Sequence, residues 1–153
     1  MNERNLIPQD ADYFHAIGLA IVAFARLEWN AVWCCERLKS GYIQTIEIKK
    51  KTAGKIAMDL EELFLKLEDT ELRKKVLPLA TSFKTIVADR NALLHGKPGT
   101  APNGDQRLFR HGDQWTIDAV NRFSDACVQA STLLNALLYD EFKEPYTIKK
   151  SAD

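Results

Sequence analysis

The chain has 153 residues, which is enough for one domain with a substantial hydrophobic core. Apolar residues make up 46% and charged residues 27%, a balance typical of globular proteins and not of disordered ones. The 21 basic and 21 acidic side chains cancel, which excludes a protein that coats nucleic acid through its overall field. Any contact with nucleic acid must therefore come from a local patch.

Cysteine usage and hydropathy predict a cytoplasmic protein. Cys34, Cys35 and Cys127 form neither an even set nor a CxxC pair, which indicates reduced thiols. Residues 1–10 are polar and do not resemble a signal peptide. The longest apolar run, residues 17–25, is about half of what a membrane span requires, so we expect no membrane association.

Apolar residues at spacings of three and four predict the first two helices. The first spans about residues 10–40 and stops at Gly41. Its predicted core-facing residues are Phe14, Ile17, Ile21, Phe24, Ala31, Cys35 and Leu38. The second spans about residues 52–67, after a linker over residues 47–51. Its predicted core-facing residues are Ile56, Leu60, Leu63, Phe64 and Leu67.

A third helix is predicted from Asp69 or Thr70 to His95, with Pro78 marking either its true start or a kink. Its predicted inner residues are Val76, Ala80, Phe83, Val87 and Leu94. Residues 97–105 are rich in Gly, Pro, Asn and Thr, which predicts a loop. A hairpin then follows over residues 107–117, with its turn at residues 111–113.

A last helix begins at Thr116 or Asp118. Its predicted inner residues are Val120, Phe123, Cys127, Ala130, Leu134, Leu137 and Leu138. The pattern predicts an all-α fold, a four-helix up-and-down bundle with a short β-hairpin or loop excursion between helices 3 and 4. We expect one domain over residues 1–153, with a core of about 10–142 and a loose polar tail over 144–153.

Two charged residues interrupt the apolar stripes. Glu28 falls between Phe24 and Ala31, and Arg90 falls between Val87 and Leu94. A buried charge is costly unless it is paired, so we expect Glu28 and Arg90 either to meet or to line one cleft. Pattern alone favours a structural ion pair as much as an Arg held ready for a phosphate, for which its planar, permanently charged fork is suited.

The run Arg90-Asn91-Ala92-Leu93-Leu94-His95 concentrates the chemistry of this sequence. Asn91 and His95 are four apart and share one ridge of the helix, with Arg90 beside them. Cleavage of RNA without a metal needs an acid or base, a cation for the phosphate and often an orienting amide. His95, Arg90 and Asn91 supply these groups in that order.

This run, at the close of the third helix of a small helical domain, resembles the R-x4-6-H motif of HEPN domains. Gly96 and the stretch Leu27-Glu28-Trp29 also resemble uncharacterised bacterial proteins of this class. The resemblance implies a homodimer that brings two copies of the motif to one cleft. It implies a metal-independent, cofactor-free endoribonuclease of a toxin–antitoxin or defence system, leaving 2′,3′-cyclic phosphate and 5′-OH ends.

The resemblance also assigns roles and partners. Arg90 and His95 would be catalytic with Asn91 supporting them, and an antitoxin or nucleotidyltransferase would be the partner. Pattern adds Glu28 as a supporting residue. Because some members of the family are inactive, the alternative is a non-catalytic helical dimer that binds a partner protein or a nucleotide. A third hypothesis is a structural bundle in which Glu28 and Arg90 are a core pair.

The hairpin after the motif carries the best basic candidates for binding RNA, Arg107, Arg110 and His111. Trp115 either stacks a base or, as is commoner, anchors the hairpin to the helices. No spacing of His15, His95 and His111 predicts a zinc site, and no glycine-rich phosphate loop is present in the sequence.

Overall fold

The computed structural model describes residues 2–146 and residue 148, and over these residues the chain is mostly helical with one small antiparallel sheet. The helices are α1 (Ala11–Leu38), α2 (Tyr42–Ile48), α3 (Ala53–Leu65), α4 (Thr70–Leu94) and α5 (Ile117–Tyr139). The strands are β1 (Lys97–Thr100), β2 (Gln106–Arg110) and β3 (Asp113–Trp115), and a single 3₁₀ turn, Glu3–Leu6, precedes α1. The predicted predominance of helix is confirmed.

Side-chain caps explain where the long helices begin. Asp10 accepts a hydrogen bond from the backbone N–H of Tyr13 at 3.0 Å, and Thr52 and Thr116 cap α3 and α5 in the same way. Asp69 caps α4, which then runs without a break through Pro78. The alternative start of this helix at Pro78 is therefore wrong.

The core lies between α1 and α5, which make the most extensive helix contact, and between α3 and α4. Across this arrangement α1 and α4 meet through large side chains, with the rings of Phe24 and Phe83 stacked 6.5 Å apart. Among the described residues, α1 is the one helix long and apolar enough to cross a membrane, with a mean hydropathy of 1.3. A core helix meets the same criterion, and the inner face of α1 packs against α3 and α5.

The inner face of α1 differs from the predicted stripe. Phe14 and Ile21 are 44% and 43% exposed, whereas Tyr13 and Leu27 are buried. The reason is a tertiary contact, because the Tyr13 hydroxyl donates to the Trp115 carbonyl at 2.7 Å and accepts from a strand N–H. This bond turns the Tyr13 face inward and leaves Phe14 at the surface. Likewise on α4, Leu93 is buried in place of Leu94.

The segment predicted as a loop over residues 97–105 contains β1. Lys97 to Thr100 pair with β2 in antiparallel register, so the excursion is a three-stranded sheet and not a lone hairpin. Pro98 is tolerated because β1 is an edge strand. Gly96 is required, because a Cβ there would lie 2.9 Å from the Cβ of Leu108. The predicted turn joins β2 to β3 through His111 and Gly112, both at positive φ.

Helix α2 was not predicted, because at seven residues the segment is too short to show a helical repeat. Its first residue, Tyr42, is buried and donates a hydrogen bond to Asp59 of α3 at 2.8 Å. Lys51 and Lys55 also bind this carboxylate, at 2.9 and 2.8 Å. The cluster ties α2 and the following turn to α3, and it pairs two lysines with one carboxylate.

The C-terminal segment is less loose than predicted where the structure describes it. Phe142 is buried, Tyr146 packs on its ring at 5.7 Å, and the Tyr146 N–H donates to the carbonyl of Arg37. Ile148 packs against the core. The remainder of the predicted tail, residues 147 and 149–153, lies outside the described residues.

The Asp59 cluster predicts a dependence of stability on acid pH. Burial raises the pKa of Asp59, but hydrogen bonds from Lys55, Lys51 and Tyr42 outweigh burial and lower it to about 2. Because the folded pKa lies below the unfolded value of about 3.9, the stabilisation is complete above about pH 4 and is lost as pH falls towards 2.

Asp59→Asn should therefore lower the free energy of unfolding by about 2–3 kcal/mol at pH 7, with the deficit shrinking below pH 4. Urea unfolding at several pH values measures this effect. Glu62→Gln, which removes an exposed pair with Lys66 on the same helix, serves as the control and should change stability little. Equal effects of the two substitutions would contradict the role given to Asp59.

Candidate functional site

A cleft of about 160 Å³ opens between α1 and α4. We call it the α1–α4 cleft, and it is defined by Ile21, Phe24, Glu28, Arg90 and Leu94, with Phe123 of α5 also on its wall. Its walls are mostly apolar, and its charged groups are Glu28 and Arg90. The cleft exists because α1 and α4 are held apart by the large side chains between them.

Arg90 is fixed in this cleft without a salt bridge. Its guanidinium carbon lies 4.9 Å from the centre of the Phe24 ring, and its Nη1 donates to the Asn91 side-chain oxygen at 2.8 Å. Among the described residues, no carboxylate lies within 4 Å of its guanidinium nitrogens. Most of its N–H donors therefore remain available to an anion.

Glu28 lies on the same cleft and is half-buried. Burial raises the pKa of Glu28, and the charge of Arg90 opposes this rise without cancelling it. Of the two arrangements expected for this pair, a shared cleft is found and a direct ion pair is not. The site thus holds a cation that is free to bind beside a carboxyl whose ionised form is disfavoured by burial.

His95 ends α4 as its C-cap residue and is exposed. Its N–H donates to the carbonyl of Asn91 at 3.0 Å, and its own carbonyl accepts a long bond of 3.5 Å from Arg110 Nη1. In a helix five positions correspond to a rotation of about 140°, so Arg90 and His95 point in different directions. His95 is not part of the wall of the α1–α4 cleft.

Arg107 is not available to bind RNA, which corrects its predicted role. It is 8% exposed, and its guanidinium bonds to the carboxylates of Asp10 and Asp105 at 2.8 and 3.1 Å. It also lies 4.4 Å from the centre of the Tyr13 ring. Two carboxylates neutralise its charge, so Arg107 fastens the sheet to the start of α1.

The other predicted residues of the hairpin are less buried than Arg107. Arg110 is half-buried beside the end of α4, and His111 is exposed at the turn. Trp115 packs edge-on against Phe123 at 6.3 Å, which favours the anchoring interpretation over base stacking.

Sequence reasoning missed two residues of this region. The ring of Phe24 contacts the Arg90 guanidinium. Phe24 lies four residues before Glu28, and this spacing could have indicated that the two side chains share a face of α1. Lys97 was treated as part of a loop, but it is exposed on β1, two residues after His95. In the part of the chain that the structure describes, neither Lys97 nor Arg110 forms an ion pair, so both add positive charge near His95.

Alternative chemistries find less support in the geometry. Burial raises the pKa of Cys34 to about 12, which keeps this thiol protonated. Within residues 2–146 and 148, no cluster of three His, Cys, Asp or Glu side chains is arranged to hold a metal ion. Comparison of the chain with protein-family models, curated proteins and solved structures gave no significant match. Function must therefore be argued from the site itself.

Glu28 predicts a second pH effect, with the opposite sign to that of Asp59. Because the folded pKa of Glu28 lies above its unfolded value of about 4.3, ionisation of this carboxyl destabilises the fold at neutral pH, and the cost is absent below about pH 4. Glu28→Gln should thus raise the melting temperature at pH 7 and lose its advantage in acid.

Thermal unfolding at several pH values measures this difference. Glu68→Gln replaces an exposed carboxyl before α4 and is the matched control, with no shift expected. A Glu28→Gln variant less stable than the parent at pH 7 would mean that Glu28 and Arg90 form a stabilising pair after all.

Proposed function

We propose that this protein is a HEPN-like, metal-independent endoribonuclease that acts as a homodimer, with its four long helices forming the bundle expected of that family. The observation that carries the proposal is the state of Arg90, a guanidinium held in a cleft with unused donors and no carboxylate pair. A phosphodiester is the ligand that such a fork fits best.

The contrast with Arg107 supports this assignment. Arg107 shows what a structural arginine looks like in this fold, since it is buried and bonded to two carboxylates. Arg90 is only half-buried, lies over an aromatic ring and is oriented by Asn91. An arginine that served stability alone would gain from a carboxylate partner, as Arg107 does.

The dimer is proposed because His95 does not line the cleft that holds Arg90 in its own chain. We propose that His95 of one copy approaches Arg90 of the other, so that the active site is completed between copies. The apolar residues exposed beside the α1–α4 cleft, Ile21 and Leu94, are suited to such a contact. Lys97 and Arg110 next to His95 would attract the RNA backbone.

In the proposed reaction the RNA 2′-oxygen attacks the adjacent phosphorus and the bond from phosphorus to the 5′-oxygen breaks. His95 takes the 2′-hydroxyl proton or returns one to the 5′-oxygen, and water serves the other role. Arg90 stabilises the charge that builds on the phosphoryl oxygens, and Asn91 holds the guanidinium in place. The products are a 2′,3′-cyclic phosphate and a 5′-hydroxyl, and no metal is consumed or required.

Cytoplasmic RNA is the proposed substrate, and a toxin–antitoxin or defence system is the proposed context. Because such an enzyme is harmful when free, an antitoxin or a nucleotidyltransferase would keep it inactive. One observation favours the alternative, a non-catalytic dimer that binds a partner protein or a nucleotide at the same cleft. It is the position of His95 outside the cleft of its own chain.

Cleavage of RNA by the purified protein in the presence of EDTA tests the catalytic assignment. Arg90→Ala should reduce the cleavage rate about 10²–10³-fold, because it removes the charge that stabilises the transition state. His95→Ala should reduce it about 10²–10⁴-fold, because it removes the proton-transfer group.

Two exposed residues provide matched controls. Arg122→Ala on α5 and His15→Ala on α1 remove the same side chains away from the cleft and should leave the rate unchanged. Wild-type cleavage by both Arg90→Ala and His95→Ala would eliminate the nuclease and leave the binding module.

A mixing experiment tests whether the site is shared between copies. Equal amounts of the Arg90→Ala and His95→Ala proteins, unfolded together and refolded, form mixed dimers with one intact shared site. Roughly a quarter of the wild-type activity should return, since half of the dimers are mixed and each carries one working site. A mixture of the Arg90→Ala protein with the Arg90→Ala/His95→Ala double variant should stay inactive. If the mixture of the two single variants is also inactive, the Arg90 and His95 of one site belong to the same chain.

A further inference from the structure

A larger cavity lies at the other end of α1, outside the α1–α4 cleft. It has a volume of about 640 Å³, is open to solvent, and is lined by the segment before α1, the first turns of α1, the first two strands and the turn between them. This volume is within the range of sites for small organic molecules, about 300–1,000 Å³. We call it the N-terminal cavity, and its apolar wall includes Ile7, Phe14, Ile17 and Leu108.

The polar groups of the N-terminal cavity are mainly carboxylates. Asp10, Asp12 and Asp105 line it together with one cation, Arg107, so its charge is negative in excess. Arg107 and Asp10 bind each other, and Asp10 also caps α1, so these two charges are already occupied. The charges left for a ligand are the exposed carboxylate of Asp12 and the second oxygen of Asp105.

The walls of the N-terminal cavity are fastened and do not depend on a ligand for their position. Arg107 joins the sheet to α1 through Asp10 and Asp105, and the Tyr13 hydroxyl bonds both β2 and the end of β3. The Gln9 amide donates to the carbonyl of Ile7 at 2.6 Å, a hydrogen bond within the exposed segment before α1. A site held in this way binds a ligand at a smaller entropic cost than one that must form around it.

We propose that the N-terminal cavity binds a small organic cation, an amine with an aromatic or branched apolar body. The apolar body lies against Phe14 and Ile17, and the ammonium faces Asp12 and Asp105. An anion such as a nucleotide is disfavoured here because carboxylates outnumber the one cation, and that cation is already paired. The proposal for this cavity does not depend on the proposed nuclease activity. The N-terminal cavity would bind a cation, whereas the α1–α4 cleft would bind the phosphate of RNA.

The test is a backbone amide NMR titration of the full chain with three probes of the same shape. They are tryptamine as the cation, 3-ethylindole as the neutral molecule and indole-3-propionate as the anion. Tryptamine should shift the amides of residues 10–17 and 105–108 saturably, with a Kd below about 1 mM. The neutral probe should bind about 5–10-fold more weakly and the anion should not saturate.

Variants separate this site from nonspecific binding. Asp12→Asn should weaken tryptamine about 3–5-fold and Phe14→Ala about 5–10-fold, whereas Asp125→Asn on α5 should change nothing. All three residues are exposed, and the amide spectrum of each variant shows that the fold is kept.

Three results would overturn the proposal. They are equal shifts with tryptamine and indole-3-propionate, no saturable shift with tryptamine, and equal binding by the Asp12→Asn and Asp125→Asn proteins. None of these results bears on RNA cleavage, so the cavity and the nuclease succeed or fail separately.

Discussion

The guanidinium of Arg90 lies on the face of Phe24, next to a half-buried carboxyl that does not pair with it. A ring face stabilises a cation without occupying its N–H donors, whereas a carboxylate would occupy two of them. This way of holding a charge depends on the gap between α1 and α4, which the stacked rings of Phe24 and Phe83 keep open. The local chemistry of the site is therefore a consequence of how the helices pack.

The same fold treats its second inward-facing arginine in the opposite manner. Arg107 is enclosed by carboxylates and fastens the sheet to α1, which places the end of β1 beside the N-terminus of that helix. Strand β1 begins two residues after His95, the C-cap of α4. The two arginines are thus held in different ways within one small domain, Arg107 by two carboxylates and Arg90 by an aromatic ring and an amide.

Sequence periodicity located the four long helices, since their apolar spacing and capping residues are local properties. It did not predict the rotation of α1, because the hydrogen bonds of Tyr13 to strands about a hundred residues away decide which face turns inward. Strand β1 was not predicted because it contains Gly and Pro, residues that usually indicate loops. Here the glycines allow the backbone to approach β2 closely, and the proline is tolerated at the sheet edge. For the site, the pattern predicted that Glu28 and Arg90 would either meet or line one cleft, and they line one cleft. It could not predict that Arg107 is paired or that His95 lies outside the cleft.

We propose that Arg90 and His95 bind one phosphodiester. A side-chain NMR titration tests this binding directly. The ligand is a dinucleotide in which hydrogen replaces the 2′-hydroxyl at the cleavage position, so that it binds without reacting. If Arg90 and His95 bind the same phosphodiester, the Arg90 guanidinium and His95 ring signals should shift together with one Kd, while the Arg107 signal stays in place. Shifts at Arg107 or at neither site residue would contradict it.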